Sequence, residues 1–221
     1  MTNAIRILRK QYPDVGIVGK VYGPWSVGYA MAGIENILAL RGDPPAGEGR
    51  FVPVEGGLAH ADELAALVAE HYPVCVAGAC YPEIHPEADS LDADLANLRR
   101  KVDAGVSVLI TQLFFDNRAY DRFVSEARAH GIEVPIIPGI MPIANFTQLA
   151  RFSDACGAEI PRWIRQKLQS FGDDRASIRS FGLDVVTDLC DRLLSQDAPG
   201  LHFYTLNMAG LTTTIWQRLG L

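Results

Sequence analysis

Two charged residues, Arg41 and Asp43, flank a glycine directly after the apolar run at residues 35–40. A charge at the end of a buried strand is costly unless it pairs with another charge, meets a ligand or reaches water. An ion pair between the two side chains and contact with a charged ligand are both consistent with this pattern. The Arg41-Gly42-Asp43 segment is therefore the first candidate for a cofactor-binding element.

A second polar group lies on residues 88–104, which have the period of a helix. Leucine and valine residues at positions i, i+4, i+7 and i+11 form the predicted buried stripe. The adjoining stripe carries a carboxylate, an amide and two cations, which are Asp94, Asn97, Arg100 and Lys101. This set suits a ribose-pyrophosphate ligand, whose hydroxyls would bind the carboxylate and whose phosphates would bind the cations. A solvated helix face is the alternative interpretation.

Further polar residues follow other predicted strands. Tyr81 and His85 surround a Pro-Glu-Ile turn closed by Pro86, which is either a rigid loop with a surface histidine or part of a site. Gln112 ends an apolar run, and its amide can bind a heteroaromatic ligand or a backbone partner. The five histidines show no metal-ligand spacing, so no catalytic metal is expected.

The segments that must position these residues alternate between short apolar runs and longer stretches of helical period. Continuous apolar runs are typical of strands buried on both faces, as in a parallel sheet covered by helices. The predicted strands are 35–40, 74–79, 106–113, 134–140 and 201–206, with a weaker candidate at 15–21. The predicted helices are 61–71, 88–104, 117–130, 145–155, 161–169, 174–195 and 208–219. Polar residues at five strand ends favour an α/β fold of the (β/α)8 TIM-barrel type over an open sheet, with about five or six of the eight strands present.

Composition narrows the class of protein. A chain of 221 residues with 48% hydrophobic content is long enough for one sizeable core. A net charge of −6 without a basic run argues against a nucleic-acid partner. The sequence shows neither a long apolar run nor a signal peptide, which predicts a cytoplasmic protein without membrane contact. The four cysteines lack the spacing of a metal site, so reduced thiols are expected.

Six ordered strings carry a resemblance to a known family. They are LALRGDPP from Leu38, YPEIHPEA from Tyr81, KVDAG from Lys101, ITQLFFD from Ile110, IPGIMP from Ile137 and FYTLN from Phe203. In this order they resemble the flavin-dependent methylenetetrahydrofolate reductases. The similarity divides the chain into an atypical N-terminal segment at 1–33 and a predicted flavin- and folate-binding part of the barrel at 34–221.

The resemblance implies a (β/α)8 barrel that holds FAD at the carboxyl ends of its strands. NADH or NADPH and 5,10-methylenetetrahydrofolate would take turns against the flavin, giving 5-methyltetrahydrofolate for one-carbon and methionine metabolism. The implied FAD contacts are Arg41, Gly42, Asp43, His60, Ala61, Tyr81, His85, Ala88, Asp94, Asn97, Arg100 and Lys101, and Asp43 would also tune the electronics of the flavin. The implied folate or nicotinamide contacts are Gln112, Gln148 and Phe152. A homo-oligomeric state stays open.

Two features of the family are missing from this sequence. The Glu-Phe-Phe-Pro-Pro type segment that supplies the general acid has no counterpart, and Met208 follows Asn207 where many relatives have an arginine suited to a folate carboxylate. Three interpretations therefore stay open. They are a folate reductase, a truncated flavin- or folate-binding module without turnover, and an unrelated barrel lyase or hydrolase that uses Asp43, Glu83 and His85 as acid and base.

Overall fold

Strands and helices alternate along the chain in the computed structural model, which describes residues 19–22, 34–42 and 51–221. The strands are β1 Gly19–Tyr22, β2 Asn36–Leu40, β3 Cys75–Cys80, β4 Val106–Leu113, β5 Ile136–Ile140 and β6 His202–Phe203. The helices are α1 Ala61–His71, α2 Leu91–Asp103, α3 Asn117–Ala129, α4 Phe146–Cys156, α5 Arg162–Ser170, α6 Arg175–Ser195 and α7 Ala209–Arg218. Most of the predicted 1–33 segment, Asp43, and residues 44–50 of the loop after β2 lie outside the described residues.

The six described strands form one sheet in the order β1-β2-β3-β4-β5-β6. Strand β2 runs parallel to β1 and to β3, and β6 runs parallel to β5. Parallel strands in sequence order, joined by helices, are the arrangement of a (β/α)8 barrel. The predicted α/β fold of the incomplete TIM-barrel type is confirmed, and the described residues contain six strands where a complete barrel has eight.

The described chain divides into two compact units. The first contains the described residues up to Ala79 together with 97–109, and its core includes Ile37, Val76 and Leu109. The second contains residues 80–96 and 110–221, and its core includes Phe114 and Leu193.

Local hydrogen bonds set several element ends that periodicity misplaced. Helix α2 begins at Leu91 and not at residue 88, because the Ser90 hydroxyl accepts from the Ala93 N–H and acts as the cap. Ala88 consequently lies in the preceding turn, where its N–H donates to the His85 carbonyl at 2.9 Å. Strand β6 has two residues where 201–206 was predicted, and Leu206 with a φ of 48° adopts a left-handed conformation that no strand accommodates.

A buried threonine connects the carboxyl ends of β4, β5 and β6 within the second unit. The Thr111 hydroxyl accepts from the Gly139 N–H and donates to the Gln112 carbonyl, both at 2.8 Å. The Tyr204 hydroxyl donates to the Thr111 carbonyl at 2.8 Å, and burial raises the pKa of Tyr204, so the hydroxyl keeps its proton. A side chain on Gly139 would collide with the Thr111 carbonyl and come within 2.7 Å of the Tyr204 ring.

Replacing Gly139 by alanine should destabilise the protein. The added methyl group would force the β4 and β5 backbones apart, and overpacking of this kind costs roughly 1–3 kcal/mol. Urea denaturation of wild-type and Gly139→Ala protein measures the difference in the free energy of unfolding. Gly200→Ala is the matched control, because a methyl group there meets no atom within 4 Å. Equal losses in the two variants would contradict the close approach of β4 to β5.

Candidate functional site

Arg41 and Gly42 lie directly after the carboxyl end of β2. The Arg41 guanidinium lies over the Phe51 ring at 5.0 Å from its centroid, and its Nε donates to the Gly42 carbonyl at 3.4 Å. Gly42 has a φ of 88°, a conformation that residues with a side chain adopt only under strain. The predicted role of Asp43 stays a prediction because this residue lies outside the described ones.

His60 and Ala61 form the start of helix α1, as the resemblance implied. The Glu63 carboxylate accepts from the backbone N–H groups of Ala59 and His60, at 2.6 and 3.4 Å. This carboxylate satisfies donors that the helix itself leaves unpaired. The backbone of the helix start is therefore fixed by Glu63, while the His60 side chain is exposed.

The polar stripe of α2 carries the side chains that were predicted to bind the phosphates and ribose of a dinucleotide. The Lys101 ammonium is half-buried and donates to the Ala79 carbonyl at 3.0 Å, so it reaches the carboxyl end of β3. The Arg100 guanidinium donates to the Asn97 amide oxygen at 2.5 Å, and its Nε lies 3.9 Å from the Asp62 carboxylate. Helical periodicity thus predicted correctly that these residues share one side of the helix.

Asp94, at the start of the same stripe, holds the loop at Tyr81–Ala88. Its carboxylate accepts from the His85 N–H at 2.8 Å. The rings of Tyr81 and His85 meet edge to face at 4.4 Å, and the His85 Nδ1 accepts from the Glu87 N–H at 3.0 Å. A neutral His85 therefore carries its hydrogen on Nε2. Asp94 was predicted to bind a ribose, and its contact with the loop backbone was not anticipated.

The same loop contains backbone strain and a second anchor. Ile84, a β-branched residue, has a φ of 70°, which costs about 1–3 kcal/mol unless neighbouring contacts impose it. The Glu83 carboxylate accepts from the Glu159 N–H at 3.0 Å, and burial raises the pKa of Glu83. These contacts give Glu83 a structural role in holding the loop, which is a different role from the acid or base of the lyase or hydrolase interpretation.

Gln112 lies at the penultimate position of β4 and is half-buried. Its side-chain oxygen accepts from the Leu113 N–H at 3.0 Å. The backbone partner considered for this glutamine is therefore present. Because the bond uses the oxygen, the amide hydrogens of Gln112 remain the donors that could meet a ligand.

Gln148 lines two adjoining cavities at the carboxyl ends of β5 and β6. The smaller cavity holds about 20 Å³, and the larger is a groove of about 490 Å³. Both are lined by Ala144, Asn145, Gln148 and Met208. Asn145 caps helix α4 by accepting from the Gln148 N–H at 2.9 Å, which fixes the position of this first turn.

Phe152 lies one helical turn beyond Gln148 and does not line either cavity. Its ring is half-buried beneath the Arg151 guanidinium, 5.5 Å from the ring centroid. Among the predicted folate contacts, the structure therefore brings Gln148 to a cavity wall and holds Phe152 beside it. The predicted contact of Phe152 with a ligand stays a prediction.

The roles of two parts of this region were not predicted from the sequence. Thr111 was given no role of its own, although a hydroxyl inside a predicted buried strand indicates a hydrogen bond to a buried partner. Arg175 and Arg179 line the larger groove but lie on α6, which falls between the fifth and sixth strings and belongs to neither.

Metal and membrane sites are not found in the described part of the chain. Within residues 19–22, 34–42 and 51–221, no three His, Cys, Asp or Glu side chains are grouped as metal ligands. No helix there is both long and apolar enough to cross a membrane. All four cysteines are thiols and not disulfides, as predicted.

Parallel strands with polar side chains at their carboxyl ends define the class of ligand-binding α/β barrels. Comparison with known proteins gives the family. The family model described as methylenetetrahydrofolate reductase matches residues 27–220. The chain therefore belongs to the methylenetetrahydrofolate reductase family, as the six strings implied.

Individual relatives agree with this assignment. "Methylenetetrahydrofolate reductase (NADH) 1" of Zea mays is 41% identical over 202 residues, covering 86% of this chain and 34% of the maize protein. "5,10-methylenetetrahydrofolate reductase" of Escherichia coli is 41% identical over 192 residues, covering 87% of this chain and 63% of the bacterial protein. The chain thus spans between a third and two thirds of the length of these relatives.

A solved structure supports the fold. A Clostridium thermocellum protein, described as binding two copies of 5-methyl-5,6,7,8-tetrahydrofolic acid, superposes with a TM-score of 0.53 at 19% identity. The match covers 96% of this chain and 75% of that protein.

The Asp94 contact can be tested by exchange of the His85 amide hydrogen. Asp94→Ala removes the acceptor of this N–H, and a charge-assisted bond of this kind contributes roughly 1.5–3 kcal/mol. We expect exchange at His85 to accelerate about tenfold or more in hydrogen–deuterium exchange. Asp92→Ala, on the exposed side of the same helix, should leave the rate unchanged. Unaltered protection in Asp94→Ala would show that other contacts hold the loop.

Proposed function

We propose that this chain carries the flavin- and folate-binding part of an enzyme that reduces 5,10-methylenetetrahydrofolate to 5-methyltetrahydrofolate. FAD is the proposed cofactor, with NADH or NADPH as the electron donor. Family membership supports the class of reaction, since the curated relatives bear the name methylenetetrahydrofolate reductase and the maize relative's name specifies NADH. A cytoplasmic location stays a prediction.

The observation that carries the proposal is the position of the Lys101 ammonium. It is half-buried and bound to the Ala79 carbonyl, so a positive charge is held at the carboxyl end of β3. Ligands of α/β barrels bind at this end of the strands. A cation fixed there, on a helix that also presents a carboxylate and an amide, suits the pyrophosphate and ribose of a dinucleotide.

The side chains present therefore fit FAD. Lys101 and Arg100 would bind its phosphates, while Asp94 keeps a second carboxylate oxygen for a ribose hydroxyl. Gly42 would permit close approach to the ring system, because its Cα carries no side chain. The remaining proposed contacts are Arg41, Asp43, His60, Ala61, Tyr81, His85, Ala88 and Asn97. When bound, FAD would supply the hydride acceptor and donor of the reaction.

The folate would be oriented by residues at the ends of β4 and β5. Gln112 would donate its amide hydrogens to a ring acceptor, because its oxygen is already bound to the Leu113 N–H. Gln148 would contact the ligand from the cavity wall. Phe152 would offer an apolar face beside it. These side chains would align the methylene carbon for hydride transfer, which is the main contribution a protein makes to cofactor chemistry.

The reaction also needs a proton donor, because the departing folate nitrogen must be protonated before hydride can be accepted. The Glu83 carboxylate already accepts from the Glu159 N–H, and no contact places it beside a folate nitrogen within the described part of the chain. A second candidate function is a chain that binds flavin and folate without turnover, because the Glu-Phe-Phe-Pro-Pro type segment that supplies the family's general acid has no counterpart in the sequence.

Absorbance of the purified chain separates the two candidates. After incubation with FAD and removal of unbound cofactor, the reductase proposal expects a flavin band that bleaches under anaerobic NADH or NADPH and returns when 5,10-methylenetetrahydrofolate is added. Bleaching without recovery would select the binding module. A protein that retains no flavin would overturn both candidates.

The phosphate role of Lys101 has its own test. Lys101→Ala should raise the dissociation constant of FAD about tenfold, which corresponds to about 1.4 kcal/mol. Arg99→Ala is a matched control, because Arg99 lies on the same helix but is exposed and pairs with Asp103 at 2.9 Å. Quenching of flavin fluorescence on binding measures both constants. Equal affinities of Lys101→Ala and wild type would refute the assignment.

A further inference from the structure

The loop at Tyr81–Ala88 is held on two sides, by α2 and by the segment that follows α4. On one side, the His85 N–H donates to the Asp94 carboxylate of α2 at 2.8 Å. On the other side, the Glu83 carboxylate accepts from the N–H of Glu159, three residues after the end of α4, at 3.0 Å. All of these residues belong to the second unit. A loop with proposed flavin contacts is therefore tied to the end of a helix with proposed folate contacts.

A packing contact lies beside the Glu83 bond. Gly157 ends α4 in a left-handed conformation, with a φ of 73°. A Cβ at this position would lie 3.4 Å from Pro86 Cγ and 3.8 Å from the Ile84 carbonyl oxygen, which are ordinary van der Waals distances. The loop therefore lies against the end of α4 and is not merely within reach of one side chain.

Hydrogen bonds connect this contact to the body of α4. The N–H groups of Gly157 and Ala158 both donate to the Ser153 carbonyl, at 3.0 Å for Ala158. Such paired bonds are a common way of ending a helix, and they fix the direction in which the chain leaves it. Ser153 and Ile160, on either side of this turn, are both buried. The position of Glu159 is thus linked to that of the last turn of α4.

The strained residue of the loop lies between its two anchors. Ile84 has a φ of 70°, and its neighbours are Glu83, which is bound to the segment after α4, and His85, which is bound to α2. A β-branched residue keeps such a conformation only where surrounding contacts impose it. Loss of either anchor would let this backbone relax, so the conformation of the loop depends on both contacts.

We propose that Glu83 is a positioning residue that couples the flavin site to the folate site, an inference that rests on the proposed function. A flavin bound to Tyr81 and His85 would hold the loop, and the Glu83 bond would thereby hold the end of α4. Gln148 and Phe152 lie on this helix, so a fixed helix end lowers the entropic cost of ordering them against a folate. Coupling between two sites is reciprocal, so a bound folate would strengthen flavin binding by the same factor.

Three variants separate this hydrogen bond from other effects of a change at the site. Glu83→Ala removes the acceptor. Glu83→Gln removes the charge but keeps a side-chain oxygen that can accept from the same N–H. Glu159→Ala is the matched control, because Glu159 contributes its backbone N–H to the bond and is itself exposed.

The dissociation constant of 5-methyltetrahydrofolate is measured by calorimetry with and without saturating FAD, and the ratio of the two constants is the coupling factor. We expect a factor of about tenfold in wild type and a factor at least about threefold smaller in Glu83→Ala. Glu83→Gln and Glu159→Ala should keep most of the wild-type factor. Direct contact between folate and flavin accounts for the coupling that remains in Glu83→Ala.

Hydrogen–deuterium exchange detects the same link without turnover. Addition of FAD to wild type should slow exchange of the Glu159 amide hydrogen severalfold, because a held loop keeps the acceptor of this N–H in place. In Glu83→Ala the same addition should leave the exchange rate unchanged. A residue that contributed only to stability would not produce this dependence on FAD.

The outcomes separate this inference from the proposed function. A chain that retains no FAD would overturn both. Equal coupling factors in wild type and Glu83→Ala would overturn the coupling role and leave the proposed function intact. A loss in Glu159→Ala as large as that in Glu83→Ala would also overturn it, because the N–H is still present. Where Glu83→Ala does not fold, unchanged exchange at Glu159 when FAD binds wild type overturns the inference by itself.

Discussion

The arrangement of the second unit depends on how Thr111 satisfies polar groups inside an apolar sheet. Its hydroxyl accepts from the Gly139 N–H, and its carbonyl accepts from the Tyr204 hydroxyl. These interior hydrogen bonds align the ends of three successive strands. Buried polar groups that lose their partners are costly, and this alignment is therefore tightly specified. This alignment also positions Gln112, which is the residue after Thr111, and the cavity beyond β5.

Much of the fold follows from pattern alone. The bounds of β4 and α1 coincide with the predicted 106–113 and 61–71, because long apolar runs and clear helical periods leave little choice. The ends that moved were set by single hydrogen bonds, such as the Ser90 cap, or by backbone conformation, as at Leu206. Such features depend on the geometry of a few atoms, and hydrophobic periodicity carries no information about them.

Some features of the candidate site could be predicted from the sequence, and others depend on the tertiary fold. The shared stripe of Asp94 and Lys101 follows from the helical period, whereas the partners of these side chains do not. Lys101 meets a carbonyl from β3, and Asp94 meets a loop backbone, and both contacts require the tertiary fold. The six sequence strings identified the family. The ligand contacts predicted for Asp43 and Phe152 rest on that resemblance. Arg175 and Arg179 had no sequence signal, because an exposed arginine looks the same in a sequence whether or not it lines a groove.

The anchoring of the Tyr81–Ala88 loop bears on the order in which the chain can assemble. The Glu83 carboxylate reaches the backbone of Glu159, a residue 76 positions later. Contacts between such distant residues form slowly, since a long stretch of chain must be brought together first. During synthesis this loop could adopt its strained backbone only after helix α4 had left the ribosome. A proposed cofactor contact in this loop would thus reach its working conformation only after a segment 76 residues further along the chain had folded against it.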